Sequence, residues 1–406
     1  MKILLLAYAC EPHRGSEPGV GWKWALNMSK DPNKDIYVLT RSNNKGCIDK
    51  YWAYAEKPGN LHFCYYDLPS PLIWAKHHGL PVNLYYAWWL CGAVKCALVL
   101  HKKINFDMAH HLTFGVFRNP SALYKLNIPY VIGPVGGGEF TPSLVLPLYS
   151  LNERIKEVFR SFANKISMMN PFVHKSFNKA SLILTKAKET KDVLNRWESK
   201  TFVNLEIGVD SIYRSDACRN KDVFLFVGRF TYWKGVKLVL KSFEKYSKIH
   251  SNARLLMIGK GEMQCLIEQY AKKNNLNIEI IPWIKQDELK MYYSTACAMV
   301  FPSLHDSSGN VVLEALSCGL PVVCLDCGGP ASILGDSLKE LVVSTQGNSI
   351  DDIVSGIVMR MDRLFKDVGF YSSVQERAYQ RAESLLWKNT VDETYSLVEK
   401  YLVYKG

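Results

Sequence analysis

Several features are missing from this sequence of 406 residues, and each absence removes a class of protein. It has no low-complexity tract and no internal repeat, which excludes a disordered or solenoid chain. Its 11 cysteines show no paired spacing, so no disulfide framework is present. The lone Cys324-Leu-Asp-Cys327 lacks the second pair that a zinc site needs. Structural thiols and a reducing cytoplasm are therefore expected. The apolar start, MKILLLAYAC, is too short for a signal-peptide core and runs directly into a glycine loop, so no leader is expected. The most apolar stretch, residues 84–100, has 17 residues with Lys95 inside it, short of the roughly 20 needed to cross a bilayer. It reads as a core helix or as a helix lying on a surface. No RNA- or DNA-binding motif is present, so nucleic acid is not an expected partner.

What is present is ordinary globular composition, 48% hydrophobic and 22% charged. The length implies two domains of roughly 100–200 residues each. The net charge of +12 is unevenly placed. Residues 1–205 hold 26 Lys and Arg against 14 Asp and Glu, whereas 206–406 hold 24 of each. A basic first half points to an anionic ligand or an anionic membrane surface on that side.

Short apolar runs alternate with helical windows, first at 3–8, 36–40, 61–66, 108–110, 130–133 and 182–185. They resume at 223–228, 255–259, 278–281, 298–301, 322–325 and 341–343. Each series predicts parallel βαβ units, and two series predict an α/β chain of two doubly wound, Rossmann-like domains facing across a cleft. The boundaries follow as 1–205, 206–385 and a helical tail, 386–406, expected to pack back on the first domain. In such sheets ligands bind beyond the carboxyl ends of the strands, so the loops there carry the chemistry.

The first loop, CEPHRGSEPGVGWKW, places Gly15 and Ser16 just before a helix expected to start near residue 20. Such a loop fits an anion held on helix amides or a plain turn. Gly228 ends a strand and is followed by Arg229 and Lys234, a planar fork and a point charge that can clamp a diphosphate, or else two solvated cations. Gly259 and Gly261 close the next strand and let a nucleoside lie near. Trp283 and Ile284 can frame a base or close a core edge. In HDSSGNVVLEALSCG the amides of Gly309, Asn310 and Val311 open a helix, with Asp306 before it and Glu314 within it. Two acids so spaced can each bind a hydroxyl group of a nucleotide sugar. In the first half, His110 and His111 follow a strand, and Gly137, Gly138 and Glu139 follow the next.

Together these residues resemble the family 4 retaining glycosyltransferases of GT-B fold, over nearly the whole chain. The match is strongest at 223–330, where GR-x4-KG, G-x-G and the segment FPSLHDSSGNVVLEALSCGLPVVCLDCGGP stand in family order. CEPHRGSEPGVGW and GPVGGGE are similar to a bacterial branch tied to surface polysaccharide. The resemblance implies that Arg229 and Lys234 hold the donor diphosphate, Glu314 the ribose and Asp306 the transferred sugar. Gly309, Asn310 and Val311 would support sugar and phosphate, and Gly15 and Ser16 would meet the diphosphate from the other domain. Three positions depart from the pattern: Asp306 replaces the usual Glu, Ser16 a usual Gly, and His110-His111-Leu112 the frequent His-x-His. Which imidazole lines the cleft stays open, with His110 favoured by its spacing from Asp107.

The expected function is transfer, with retention, from a UDP- or GDP-sugar to a glycan or polyprenyl-diphosphate-linked acceptor, in the cytoplasm or on the inner face of the membrane. The basic first half and the aromatic segment 71–100 suggest that docking. No Asp-x-Asp occurs, so neither metal nor cofactor is expected, Arg229 and Lys234 taking the metal's part. A non-catalytic nucleotide-sugar-binding subunit and a sugar-nucleotide epimerase are the alternatives.

Overall fold

A computed structural model describes residues 1–406 except 216, 217, 283, 348 and 404–406. The first series of apolar runs forms strands β1 (Lys2–Leu6), β2 (Asp35–Arg41), β3 (Leu61–Tyr66), β4 (Met108–His111), β5 (Tyr130–Val135) and β6 (Leu182–Thr185), and a seventh strand outside that series is β7 (Thr201–Val203). Between them lie helices α1 (Ser16–Met28), α2 (Lys45–Trp52), α3 (Ser70–His77), α4 (Val82–Ile104), α5 (Leu151–Met169), α6 (Pro171–Lys179) and α7 (Lys188–Val193). The strands pair in parallel in the order β3-β2-β1-β4-β5-β6-β7. Ile3 and Leu5 are buried on one face of this sheet and Leu4 and Leu6 on the other. Burial on both faces explains why its strands read as continuous apolar runs instead of alternating ones.

The second series forms β8 (Asn220–Val227), β9 (Arg254–Ile258), β10 (Ile278–Ile281), β11 (Ala296–Phe301), β12 (Val322–Leu325) and β13 (Val342–Val343). They too pair in parallel, in the order β10-β9-β8-β11-β12-β13. Helices α8 (Val236–Ser247), α9 (Gln264–Lys273), α10 (Gln286–Thr295), α11 (Asn310–Ser317), α12 (Gly328–Leu334), α13 (Ile350–Lys366) and α14 (Val368–Ser384) belong to this domain. In α8 the stripe Val236, Val239, Leu240 and Phe243 is buried, as its spacing requires. Cys324 and Cys327 are both buried, and burial pushes the Cys327 thiol up to about 12, which suits packing and not metal binding.

The final helix, α15 (Trp387–Val403), returns to the first domain and packs on α1. The two crossings between domains run side by side, Val209 N–H donating to Leu385 O at 3.1 Å and Trp387 N–H to Val209 O at 3.0 Å. Lys34 pairs with Glu399 at 3.0 Å, and Asn204 donates to Thr394 Oγ1 at 2.8 Å.

α4 has 23 residues, six more than the apolar run at 84–100, and is long and apolar enough to cross a membrane by those measures. Tyr85, Tyr86, Trp89, Leu90, Ala93, Val94 and Ala97 nevertheless lie in the core against the first sheet. Of the two readings of this segment, the buried stripe favours the core helix.

The two histidines of β4 point to opposite faces of the sheet, as neighbours on a strand must. His110 is fully buried, its Nε2 donating to Gly133 O at 2.7 Å and its Nδ1 accepting from the Tyr395 hydroxyl of α15 at 2.9 Å. His111 is buried as well, with Nε2 at 2.7 Å from the Tyr86 hydroxyl of α4. Neither imidazole lines a cleft, so the preference for His110 as a site residue is corrected: a polar residue at a strand end has been enclosed by a helix from the far terminus. Burial pushes both down to about 4. The unfolded chain takes up those protons near pH 6.5, so the stability they give is present above that pH and lost as pH falls towards 4. The unfolding temperature should drop across that window, and His110→Gln should flatten the drop, measured by calorimetry from pH 7 to 4.5.

Candidate functional site

In the first sheet the strand order reverses between β1 and β4, in the second between β8 and β11. Loops leaving these strands at their carboxyl ends meet between the domains. The helix after β1 starts at Ser16, four residues earlier than expected, with Gly15 as its cap. Gly19 and Gly21 therefore lie inside α1. A Cβ at either would stand 2.1 Å from the Arg14 or the Ala9 carbonyl, so glycine here lets α1 press onto its own loop. Gly15 and Ser16 thus present the first amides of α1. Glu17 in that first turn accepts from Phe114 N–H at 2.5 Å, fixing α1 to the loop after β4.

After β8, Arg229 is exposed and Lys234 forms an ion pair with Asp306 in the loop after β11. Both partners are mostly buried, at 15% and 19% exposure. The Lys234 ammonium also lies 5.0 Å from the centre of the Phe301 ring. Gly259 and Gly261 have a different task from the expected one. A Cβ on Gly259 would stand 1.9 Å from Gly228 O, and one on Gly261 2.5 Å from Phe230 O. Their small size lets this loop pack under the loop that carries Arg229, so they position a cation and are not evidence of a nucleoside contact.

Gly309 caps α11 with φ +67° and no side chain takes the cap role, so the first amides of α11 are open. The Asn310 Oδ1 is buried with no partner among the described residues. One turn on, Glu314 accepts from the Tyr293 hydroxyl at 3.4 Å. Val311 and Ile284 are partly buried against the core. Trp283 lies outside the described residues.

A cavity of about 520 Å³ opens between the domains, within the usual range of ligand pockets. Gly15 and Ser16 form one wall and Asn310, Glu314 and Tyr293 another, with Arg14, Lys23 and Lys290 adding cations. The structure therefore brings Gly15, Ser16, Asn310 and Glu314 together as the sequence implied. Arg229, Lys234 and Asp306 do not line that cavity.

The triple-glycine loop departs from expectation. Glu139 is buried at 1% exposure. Its carboxylate accepts from Gly137 N–H at 2.9 Å, Thr190 Oγ1 at 2.8 Å and, across the domain boundary, Ser307 Oγ at 2.7 Å. Gly138 N–H donates to Thr190 at 3.1 Å and Gly137 O accepts from Asn164 at 3.0 Å. These groups are committed to protein partners, so Gly137, Gly138 and Glu139 shape the cleft by holding the 306–309 loop instead of offering free groups to a substrate.

Sequence reasoning missed a second tie of the same kind. Lys186, directly after β6, is buried and pairs at 2.6 Å with Glu206, which is also buried and accepts from Ser308 Oγ at 2.6 Å. Burial acts against the Lys186 charge, but Glu206 and Glu17 hold its ammonium above the ordinary range. Glu157 of α5 meets His305 at 3.1 Å and the Tyr232 hydroxyl at 3.1 Å. Burial alone would raise the Glu157 carboxyl, but the His305 contact leaves it lowered. The position of Lys186 at a strand's carboxyl end was the available signal.

Residues 214–381 match the family described as glycosyl transferases group 1. The match lies within the second domain and covers less than half of the chain. A Methanocaldococcus jannaschii protein named an uncharacterized glycosyltransferase is 29% identical over 209 residues, 51% of this chain and 50% of its own. The O-antigen chain mannosyltransferase B of Escherichia coli is 22% identical over 250 residues, 57% of this chain and 64% of its own. This chain spans about half the length of the curated relatives it matches. A sucrose-phosphate synthase from Thermosynechococcus elongatus superposes with a TM-score of 0.67 at 16% identity, covering 99% of each chain. The Anabaena protein HepE, solved with UDP, gives 0.61 at 13% identity over 98% of this chain and 100% of the other. These likenesses give the GT-B fold, with the segment that matches the family in its second half.

The Lys186–Glu206 pair makes a measurable prediction. Lys186→Met strands a buried carboxylate and should destabilise the chain by about 3–5 kcal/mol. Adding Glu206→Gln should recover most of that loss, read from urea unfolding of the four proteins of the cycle.

Proposed function

We propose that this chain is a retaining glycosyltransferase that moves a sugar from a nucleotide diphosphate sugar, UDP- or GDP-linked, to a hydroxyl group of a glycan or a polyprenyl-diphosphate-linked glycan. The observation that carries the reading is the shared cavity, in which the first amides of α1 stand opposite Asn310 and Glu314 of the second domain. The surface-polysaccharide setting is supported by the likeness to an O-antigen mannosyltransferase.

In this reading the diphosphate meets Arg229 and Lys234, and Glu314 binds the ribose hydroxyls. Donor arrival exchanges one partner of Lys234: the ammonium turns from Asp306 to the diphosphate, and Asp306 is released to the hydroxyls of the transferred sugar. As the glycosidic bond breaks, the diphosphate oxygens gain charge and the sugar becomes oxocarbenium-like. Cations and helix-start amides fixed beforehand stabilise that charge without reorganising. The acceptor hydroxyl attacks on the face the diphosphate leaves, and a phosphate oxygen takes its proton. In this reading the Lys234 and Arg229 charges take the part that a metal plays elsewhere, and the reaction runs without one.

The test is product analysis with UDP- and GDP-sugars and a glycan acceptor. Transferred sugar is expected; epimerised donor or an unchanged donor would refute the assignment. Lys234→Ala should lower the rate at least about a hundredfold, on the order of 3 kcal/mol, because a charge-assisted contact to the leaving group is lost. Treatment with EDTA should leave the wild-type rate unchanged.

A further inference from the structure

Helix α5 is built the reverse of a normal surface helix. Its start is well formed, with Ser150 and Glu153 making a reciprocal capping box. Its polar stripe faces the protein. Glu153 pairs with Lys237 at 3.4 Å, Glu157 is buried, Arg160 donates to Glu139 O, and Asn164 donates to Gly137 O at 3.0 Å. Its apolar stripe faces outward: Val158 is 68% exposed, Phe159 68%, Phe162 60%, Ile166 51% and Met169 80%, continued by Phe172 of α6 at 66%. Amphipathic helices of globular proteins turn that stripe to the core, and a contiguous apolar patch left outside marks an interaction site.

The surrounding charge selects the occupant. Residues 151–180 contain six Lys and Arg and two acids; both acids and Arg160 are turned inward, Lys165, Lys175 and Lys179 are exposed, and the exposed Lys156 reaches Glu262 at 4.0 Å. An apolar stripe bordered by cations fits the headgroup boundary of an anionic bilayer. Two copies meeting through the same face would bring like charges together, which opposes a symmetric dimer. The patch is also continuous with the cleft: Phe140, 62% exposed, directly follows Glu139, whose carbonyl is held by Arg160.

We propose that α5, with Phe140 and Phe172, docks this chain on an anionic phospholipid surface, so that the inward side of the same helix opens the cleft towards an acceptor carried in that surface. The docking stands on the helix alone; its link to the acceptor rests on the transferase reading. It replaces segment 71–100 as the docking element.

The full chain should sediment with vesicles of phosphatidylglycerol and phosphatidylethanolamine, and hardly at all with phosphatidylcholine vesicles. Phe159→Ser/Phe162→Ser should lower the bound fraction at least tenfold with an unchanged unfolding temperature, and Lys165→Glu/Lys175→Glu should do so in a salt-dependent way. Equal binding by the double Phe variant, equal binding to both vesicle types, or a dimer that the Phe variant dissolves would overturn the proposal. Transfer to a water-soluble acceptor reads the transferase separately. Vesicle binding without turnover would sink that reading and leave the docking intact, and turnover without vesicle binding would do the reverse.

Discussion

The cleft depends on a buried polar seam between two domains. One loop, between β11 and α11, is held by two acids, Glu139 of the first domain on Ser307 and Glu206, itself paired with Lys186 of the first domain, on Ser308. Glu206 is buried and is paired with Lys186, 2.6 Å away. Breaking such a pair leaves an uncompensated buried charge, so the seam tolerates change poorly. Its geometry matters more than its net stability. The loop it holds carries Asp306 and leads into the open amides of α11. First-domain residues thus set the position of second-domain chemistry.

That arrangement leaves two sets of groups, one lining the cavity and one outside its lining. In the first, Glu314 sits a turn inside α11 with Tyr293 on its carboxylate. In the second, Lys234 and Asp306 pair with each other. Parting a mostly buried ion pair is costly, so in the proposed transferase reading each member needs a substitute when a donor enters. A nucleotide sugar offers both: phosphate oxygens for the ammonium and sugar hydroxyls for the carboxylate. The shorter Asp306 side chain fits this pairing, since its carboxylate meets Lys234 directly.

Much of the fold was legible because buried parallel strands write themselves as apolar runs. Strand β7, of three residues, was not, because so short a segment carries no period. The start of α1 was misplaced because Gly19 and Gly21 look like loop residues, whereas close approach to Arg14 and Ala9 puts them in the helix. Asn310 and Glu314 could be placed because their motif is local: cap, amides and acid lie on one helix. His110 could not, since the group that encloses it, Tyr395, is 285 residues away. Glu139 and Lys186 failed to announce their roles for the same reason, their partners lying across the domain boundary. α5 hid in plain sight: its period identifies a helix, but periodicity does not say which side faces the core.

In the proposed transferase reading, Glu314 marks the nucleoside end of the cleft and the cations mark the diphosphate end. Isothermal calorimetry of wild type and Glu314→Ala with UDP or GDP, and with inorganic pyrophosphate, tests it most directly. Glu314→Ala is expected to weaken the nucleoside diphosphate at least about tenfold, the loss of a hydrogen bond to a charged group, and to leave pyrophosphate unchanged. Equal weakening of both ligands, or of neither, would contradict it.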